Sequence, residues 1–292
     1  MSAHPLHRQV PANPNGRDFV VGDLHGQQAM LDCLLQHVSF EERSDRLFSL
    51  GDLVDRGPDN DALMHRFATR PGHFAIRGNH EALLQAARHS SLYLRVWERN
   101  GGLWARDLPP GRLEEIEAFI DTLPYAIELS LQDGRRIGLI HAEVKPGAGW
   151  QDIRDLDARF EDTIDDGGST VAASALWGRQ RYRIADFISN EPAGATLAPE
   201  ERAALCARLR PVDGIDLVYV GHTIIGNRKP LRVGNTVFVD TGAYLATGRL
   251  TLIEPLQDHY WQVTAGAEPK LVKGGPRKLP DALLIPPAYA SA

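Results

Sequence analysis

The sequence predicts a mixed α/β fold of α+β character, and three observations carry that prediction. Three times before residue 90 a short apolar run enters a polar, glycine-bearing loop and then helical spacing. After Pro124 the helical spacing gives way to apolar runs paired across turn residues, as in antiparallel hairpins. No internal repeat or linker divides the 292 residues, a length that can bury one sizeable core. A single domain over residues 17–264 is therefore expected, with residues 1–16 and 265–292 as extended or flexible tails.

Composition narrows the classes further. With 43% hydrophobic and 24% charged residues the chain reads as an ordinary soluble globular protein. Its formal charge of −6 gives no general attraction to nucleic acid or anionic membrane, so neither is an expected partner. No apolar run is long enough to span a bilayer, and Met1 to Gly16 lacks the apolar stretch of a signal peptide. Cys33 and Cys206 lack CxxC spacing and read as free thiols of a reducing compartment. A cytoplasmic protein is expected.

Taken in order, Asp18 to Val21 is the first strand and leads into Gly22-Asp23-Leu24-His25-Gly26, with a helix over Gln27–His37. Leu47 to Leu50 is the second strand, entering Gly51-Asp52-Leu53-Val54-Asp55-Arg56-Gly57 ahead of a helix from Asp59 to Phe67. His73 to Ile76 is the third, ending in Arg77-Gly78-Asn79-His80-Glu81, with a helix from Ala82 to Arg88. Residues 90–123 are mostly helical, interrupted by Asn100-Gly101-Gly102 and Pro109-Pro110-Gly111, and their tryptophans read as core. A hairpin pairs Tyr125–Leu131 with Ile137–Ile140 and ends at His141. Residues 143–174, rich in Gly, Asp and Arg, read as an irregular insertion, with a lid that sets specificity as one option. A helix over Ala198–Arg210 and a strand from Asp216 to Val220 lead to Gly221-His222-Thr223. Strands at 231–233, 236–239, 250–253 and 260–263 complete the chain, the second of them ending in Asp240-Thr241-Gly242.

The polar residues gather at strand ends, where open α/β sheets bind ligands. Two aspartates three residues apart, Asp52 and Asp55, repel each other unless cations or donors intervene. Asp52 reads as a metal ligand and Arg56 as a receiver of an anion. Each loop alone fits an ordinary polar turn equally well; three at one end of a sheet do not. Asp23, His25, Asp52, Asn79, His141 and His222 are all oxygen or imidazole donors without a thiolate, which suits two hard or borderline cations. Six ligands fit two metals about 3.5–4 Å apart sharing one carboxylate, a pair suited to in-line phosphoryl displacement.

The loops at 22–26, 51–57, 77–81 and 221–223, with His141, together resemble the calcineurin-like metallophosphatase superfamily. Within it they resemble the serine/threonine phosphoprotein phosphatase branch, most closely its bacterial and bacteriophage-lambda type. Trp177-Gly178-Arg179-Gln180-Arg181 and Asp240-Thr241-Gly242 add to the likeness, which spans about residues 17 to 254. The resemblance implies a four-layer fold, a two-sheet β-sandwich flanked by helices with a dimetal site at the strand carboxyl ends. It implies Asp23 and His25 on a first ion, Asp52 bridging, and Asn79, His141 and His222 on a second. Manganese is the first choice, with iron or zinc as alternatives. A metal-bridging hydroxide would attack, His80 would protonate the leaving alkoxide with Asp55 supporting it, and Arg56, Arg77 and Arg179 would grip the phosphoryl oxygens. Arg181 is an alternative to Arg179. Glu143 departs from the family pattern and reads either as an acceptor for a ligand imidazole or as a surface residue, the latter preferred. His37, His65, His73, His89 and His259 read as surface or capping residues.

The expected reaction is hydrolysis of phosphoserine and phosphothreonine in a protein or peptide. The alternative enzyme is a symmetrical dinucleoside-tetraphosphate hydrolase with the same metals, and Val54-Asp55-Arg56 with Glu81 favours the former. A non-catalytic phosphate-binding module would have lost a ligand or the acid, and none is missing. The sequence leaves the oligomeric state open.

Overall fold

The structure, a computed structural model, describes residues 6–156, 170–190, 197–264, 272–274 and 276–278. Among these residues the strands form two mixed sheets. The strands are β1 (His7–Val10), β2 (Asp18–Val21), β3 (Arg46–Ser49), β4 (His73–Ala75), β5 (Ala126–Ser130), β6 (Arg136–Ile140) and β7 (Leu217–Val220). They continue as β8 (Leu231–Val233), β9 (Thr236–Phe238), β10 (Arg249–Glu254), β11 (His259–Thr264), β12 (Val272–Gly274) and β13 (Arg277–Lys278). One sheet runs β1-β5-β6-β7-β9-β8-β13 and the other β12-β11-β10-β2-β3-β4.

Side-chain alternation along the strands builds three apolar layers at once. Val20 of β2 and Phe48 of β3 point between the sheets, where they join Ile137, Leu139, Leu217 and Tyr219 from the other sheet. Their neighbours Phe19, Val21 and Leu47 point outward beneath α1 (Gln28–His37) and α2 (Asn60–Thr69), with Leu31, Leu34 and Leu63. On the far sheet Ile140, Val218 and Val220 point outward beneath α6 (Trp150–Arg154), α7 (Val171–Trp177), α8 (Gln180–Ser189) and α9 (Pro199–Ala207). Helix, sheet, sheet and helix therefore stack as the four layers expected.

Two parallel triplets place the site. β2, β3 and β4 run parallel in one sheet, and β6, β7 and β9 in the other. Their carboxyl ends deliver the loops after residues 21, 49 and 75 and after residues 140, 220 and 238 to one edge of the sandwich.

The structure departs from the sequence reading in several places. His7–Val10, taken as part of a lead-in, is a strand paired in parallel with β5. Residues 272–274 and 277–278, assigned to the tail, pair with β11 and β8. The insertion at 143–174 contains α6 and the start of α7, while residues 157–169 lie outside the described residues, as do 1–5, 265–271 and 279–292. His73 is buried between Phe40 and Phe67 rather than at the surface. Most usefully, α3 (Asn79–Ala87) begins three residues earlier than predicted, because Glu81 caps its first turn. Asn79 and His80 thus sit on the rigid end of a helix.

Phe48 is fully buried between the sheets and stacks on Phe74 with ring centroids 4.8 Å apart. Phe48→Ala should lower the unfolding free energy by about 3–5 kcal/mol in a urea titration. A loss below about 1 kcal/mol would mean that the inter-sheet layer is not a single packed core.

Candidate metal centre

The loops are first stitched to one another. Leu24 and His25 donate their backbone N–H groups to the Asp52 carbonyl at 3.1 and 2.8 Å, and Gly26 donates to that of Leu53 at 3.0 Å. Glu81 ties the second loop to the third. Its carboxylate accepts from the backbone N–H groups of Gly78 at 2.8 Å, Asp52 at 2.9 Å and Leu53 at 2.8 Å. Burial and the nearby Asp52 charge push Glu81 up to about 7 against the pull of those donors.

Two glycines are dictated by proximity. A Cβ on Gly78 would lie 2.2 Å from the Asp52 carboxylate, and one on Gly221 would lie 2.0 Å from that of Asp23. Backbone conformation is equally committed. His25, Asp52, Asp55, Arg56 and His222 all have positive φ, between 42° and 73°, a region side chains occupy at a cost in strain.

The six candidate ligands meet at this edge. Asp52 is the shared member of two groups whose ligand atoms lie within 4.8 Å of one another, His25–Asp52–His80 and Asp52–His141–His222. His25 Nδ1 donates to the Val54 carbonyl at 2.9 Å, which leaves Nε2 as a lone pair 3.5 Å from Asp52. His141 Nδ1 donates to the Leu50 carbonyl at 2.7 Å, so its Nε2 lone pair faces the Asn79 amide oxygen at 2.8 Å. His222 Nδ1 lies 2.8 Å from that same oxygen. Asp23 accepts the His222 N–H at 2.9 and 3.1 Å. Oxygen and imidazole nitrogen atoms able to bind a cation crowd together here.

The charges make the same case for cations. Burial pushes His25 down to about 3 and lowers His141 and His222 as well, working against their charged forms. Burial, with the charges of Asp240 and Asp52, pushes Asp23 well above the usual carboxylate range. Burial and Asp52 push Asp240 up to about 6. Burial also opposes the charge on Asp52, but His141, His80 and His25 outweigh it and hold that carboxyl far below the usual range. Three buried carboxyl groups among buried imidazoles fit bound divalent ions. Arg56 already puts a guanidinium nitrogen 3.1 Å from His25 Nε2, where a cation belongs.

His80 belongs by distance to the first of the two groups, and its ring lies between two carboxylates. Its Nδ1 lies 2.6 Å from Asp55, and Nε2 lies 3.9 Å from Asp52. Burial alone would lower His80, but Asp52 and Asp55 overcome it and hold the imidazole above its ordinary value. Asp55 is itself held by two indoles. Trp97 Nε1 donates to both of its oxygens at 3.1 Å, and Trp104 Nε1 donates at 2.8 Å. The tryptophans read as core are thus also donors to a site carboxylate.

The arginines divide. Arg56 is exposed, and its guanidinium lies 4.4 Å above the Tyr244 ring, which in turn meets His25 edge-on at 4.9 Å. Arg179 acts electrostatically on Asp240, Asp23 and Asp52. Arg77 is placed elsewhere, as its guanidinium donates to the Ile120 carbonyl at 2.9 Å and stacks on Tyr125 at 5.0 Å. The end of α5 (Arg112–Thr122) has captured it, so it does not reach toward the ligands in this structure. Arg181, the alternative to Arg179, is buried and donates to the carbonyls of Val144 and Arg210. Glu143 is neither an imidazole acceptor nor a surface residue. It is buried and accepts from the N–H groups of Gln180 at 3.1 Å and Arg181 at 2.8 Å, fixing the turn that carries Arg179.

Sequence reasoning passed over three participants. Asp240 had a signal, an aspartate before Thr-Gly at a strand end; Tyr244 had none, and the Trp97–Trp104 pair shows only in space.

Replacing Asp55 by Asn removes a charge that raises His80. An acid must stay protonated, so its activity falls as pH rises through its pKa, and a lowered pKa brings that fall to lower pH. Asp55→Asn should therefore shift the alkaline limb of kcat downward in pH and cut kcat about 10- to 100-fold. An unmoved limb would sink the His80–Asp55 pairing.

Comparison with known proteins follows the geometry. Residues 19–226 match the family model of the calcineurin-like phosphoesterases. Serine/threonine-protein phosphatase 1 of Salmonella typhimurium is 28% identical over 255 residues, 86% of this chain and 98% of that protein. Serine/threonine-protein phosphatase 2 of Escherichia coli is 26% identical over 81% of this chain and 92% of that protein. A symmetrical bis(5'-nucleosyl)-tetraphosphatase of Pseudomonas fluorescens is 29% identical, over 51% of this chain and 49% of that protein. Among solved structures, a serine/threonine phosphatase from Saccharomyces cerevisiae shares the fold. Its TM-score is 0.58 at 17% identity, covering 95% of this chain and 86% of that one.

Proposed function

The chain belongs to the calcineurin-like phosphoesterase family and is a hydrolase of phosphoesters, and we propose that its substrates are phosphoserine and phosphothreonine in proteins. The observation that carries this reading is the His80–Asp55 pair, buried, 2.6 Å apart and braced by two indole donors. A serine or threonine alkoxide is a poor leaving group and needs a proton as it departs. A nucleotide leaving from a phosphoanhydride needs that help far less. The extent of similarity supports the same reading, since the phosphatase relatives align over 98% and 92% of their lengths and the tetraphosphatase over 49%.

In this proposal Asp23 and His25 hold one divalent ion, Asn79, His141 and His222 hold the other, and Asp52 bridges. Manganese is the first choice, with iron or zinc as alternatives, since oxygen and imidazole donors without thiolate accept all three. The bound ions would supply Lewis acidity and an activated water. Arg56 and Arg179 would hold the phosphoryl oxygens, with Arg77 joining only after release from α5. His80 would give its Nε2 proton to the leaving oxygen while Asp55 keeps the ring oriented. We place this chemistry in one domain whose sheets also take in the strands at 7–10, 272–274 and 277–278, and in the cytoplasm; no helix among the described residues is long and apolar enough to cross a membrane.

His80→Asn should lower kcat on a phosphopeptide by about 10²- to 10⁴-fold with metal content unchanged. Loss of metal along with activity would make His80 a ligand instead. The substrate itself is decided by parallel turnover with Mn²⁺ on a phosphothreonine peptide and on diadenosine tetraphosphate. A strong preference for the peptide is expected; a preference for the dinucleotide would move the enzyme to the nucleotide branch.

A further inference from the structure

The break at Asn100-Gly101-Gly102 joins α4 (Ser91–Arg99) to a short 3-10 helix, Gly102–Asp107, and each of these elements carries one tryptophan. Both indoles aim at one group. Trp97 Nε1 donates to the two Asp55 oxygens at 3.1 Å, and Trp104 Nε1 donates to Oδ1 at 2.8 Å. Their rings meet edge-on with centroids 6.4 Å apart. Packing alone does not ask for this arrangement. Phenylalanine fills an apolar site without a polar atom, whereas two indoles with both N–H groups on one carboxylate form a polar device.

The two glycines let the segment close on Asp55. Gly101 has φ of 117°, and a Cβ there would lie 2.6 Å from the Arg56 backbone nitrogen and 3.1 Å from the Asp55 Cβ. A Cβ on Gly102 would lie 2.4 Å from the Trp97 indole. A side chain at either position would push the segment off the carboxylate. Asp55 is fully buried and has φ of 73°, so neither solvent nor a relaxed backbone fixes its direction. Among the described residues its carboxylate is held by these indoles and by His80 Nδ1, 2.6 Å from Oδ2.

We propose that Trp97 and Trp104 are positioning residues for the acid, and that together they set how well the enzyme turns over substrates with strongly basic leaving oxygens. The indoles fix the Asp55 carboxylate, and Asp55 on Nδ1 fixes the imidazole with Nε2 on the opposite side of the ring. In the step served, a water oxygen bonds to phosphorus, and the bond to the leaving oxygen breaks with its electron pair on that oxygen. The Nε2 proton of the imidazolium neutralises that oxygen as it departs. A ring free to tilt delivers the proton poorly, which matters most where the leaving oxygen is most basic. This rests on the phosphoprotein reading with His80 as acid, and it adds the residues that help a serine or threonine alkoxide to leave.

The test uses the full chain with Mn²⁺ and three substrates: a phosphothreonine peptide, phenyl phosphate and para-nitrophenyl phosphate. The threonine alkoxide is strongly basic, phenolate is intermediate, and para-nitrophenolate departs well without a proton. Trp97→Phe and Trp104→Phe each keep an aromatic ring and remove one N–H. Each should lower kcat in proportion to the basicity of the leaving oxygen, about three- to tenfold on the peptide, less on phenyl phosphate and least on para-nitrophenyl phosphate. KM and metal content should stay near those of the wild type. Trp104 is half-buried, so its variant keeps the test available even where Trp97→Phe does not fold. In an Asp55→Asn background the same changes should cost less than about twofold, because the indoles act through that carboxylate. Equal losses on all three substrates would mean a merely structural role and overturn the proposal. So would an unchanged peptide rate, or a full further loss in the Asp55→Asn background. A wild-type enzyme idle on the peptide and active on diadenosine tetraphosphate would instead refute the phosphoprotein reading, and that outcome is seen before any variant is made.

Discussion

Asp52 is the constraint on which the rest of the structure depends. It is buried, ionised and shared by both groups of converging ligands, while Asp23 and Asp240 crowd the same space. A fold does not keep three carboxylates out of water without compensation. The compensation is backbone: Asp52 accepts the His80 N–H at 3.0 Å, Asp23 accepts the His222 N–H, and Asp240 accepts that of Gly242 at 2.8 Å. Those bonds orient the oxygens without neutralising them, and the remaining charge is what divalent ions would satisfy. Because such carboxyl groups must lose their protons before cations bind, metal affinity would rise with pH.

This arrangement explains the sandwich. One sheet supplies Asp23, His25, Asp52, Asn79 and His80 from its parallel triplet, and the other supplies His141, His222 and Asp240 from its own. The candidate ligands therefore meet across an interface between sheets, and their spacing is only as well defined as the packing of Val20, Phe48, Leu139 and Tyr219 between them. The strained φ values of His25, Asp52, Asp55, Arg56 and His222 are sustained by that scaffold and by Glu81, whose carboxylate gathers three N–H groups from two loops.

What was legible in the sequence was whatever is local. Apolar runs ending in glycine and carboxylate showed the strands β2, β3 and β4 and the edge on which their loops converge, because that signal sits within a few residues. What was illegible depends on partners distant in the chain. His7–Val10 has no strand-like alternation and is a strand because β5 offers it an edge. Arg77 has the spelling of a phosphate ligand, yet the carbonyls at the end of α5 and the Tyr125 ring hold it. Glu143 gave no hint that it caps α8, and Trp97 and Trp104 looked like core because their apolar rings pack there while only their N–H groups reach Asp55.

The sources of His80's raised proton affinity bear on how the acid would work. Asp52 contributes to it through its charge, and Asp55 through both a hydrogen bond and its charge. Were Asp52 engaged by cations, its pull on the imidazole would weaken, and Asp55 would become the main support for the ring's proton. The indole donors then gain a purpose beyond orientation. By sharing the charge of Asp55 they soften its hold on His80, so that the proton remains available to a departing alkoxide. A histidine supported by Asp55 alone would bind its proton more tightly and release it less readily. Trp97 and Trp104, core residues by their rings, would thus act on the proposed acid through Asp55.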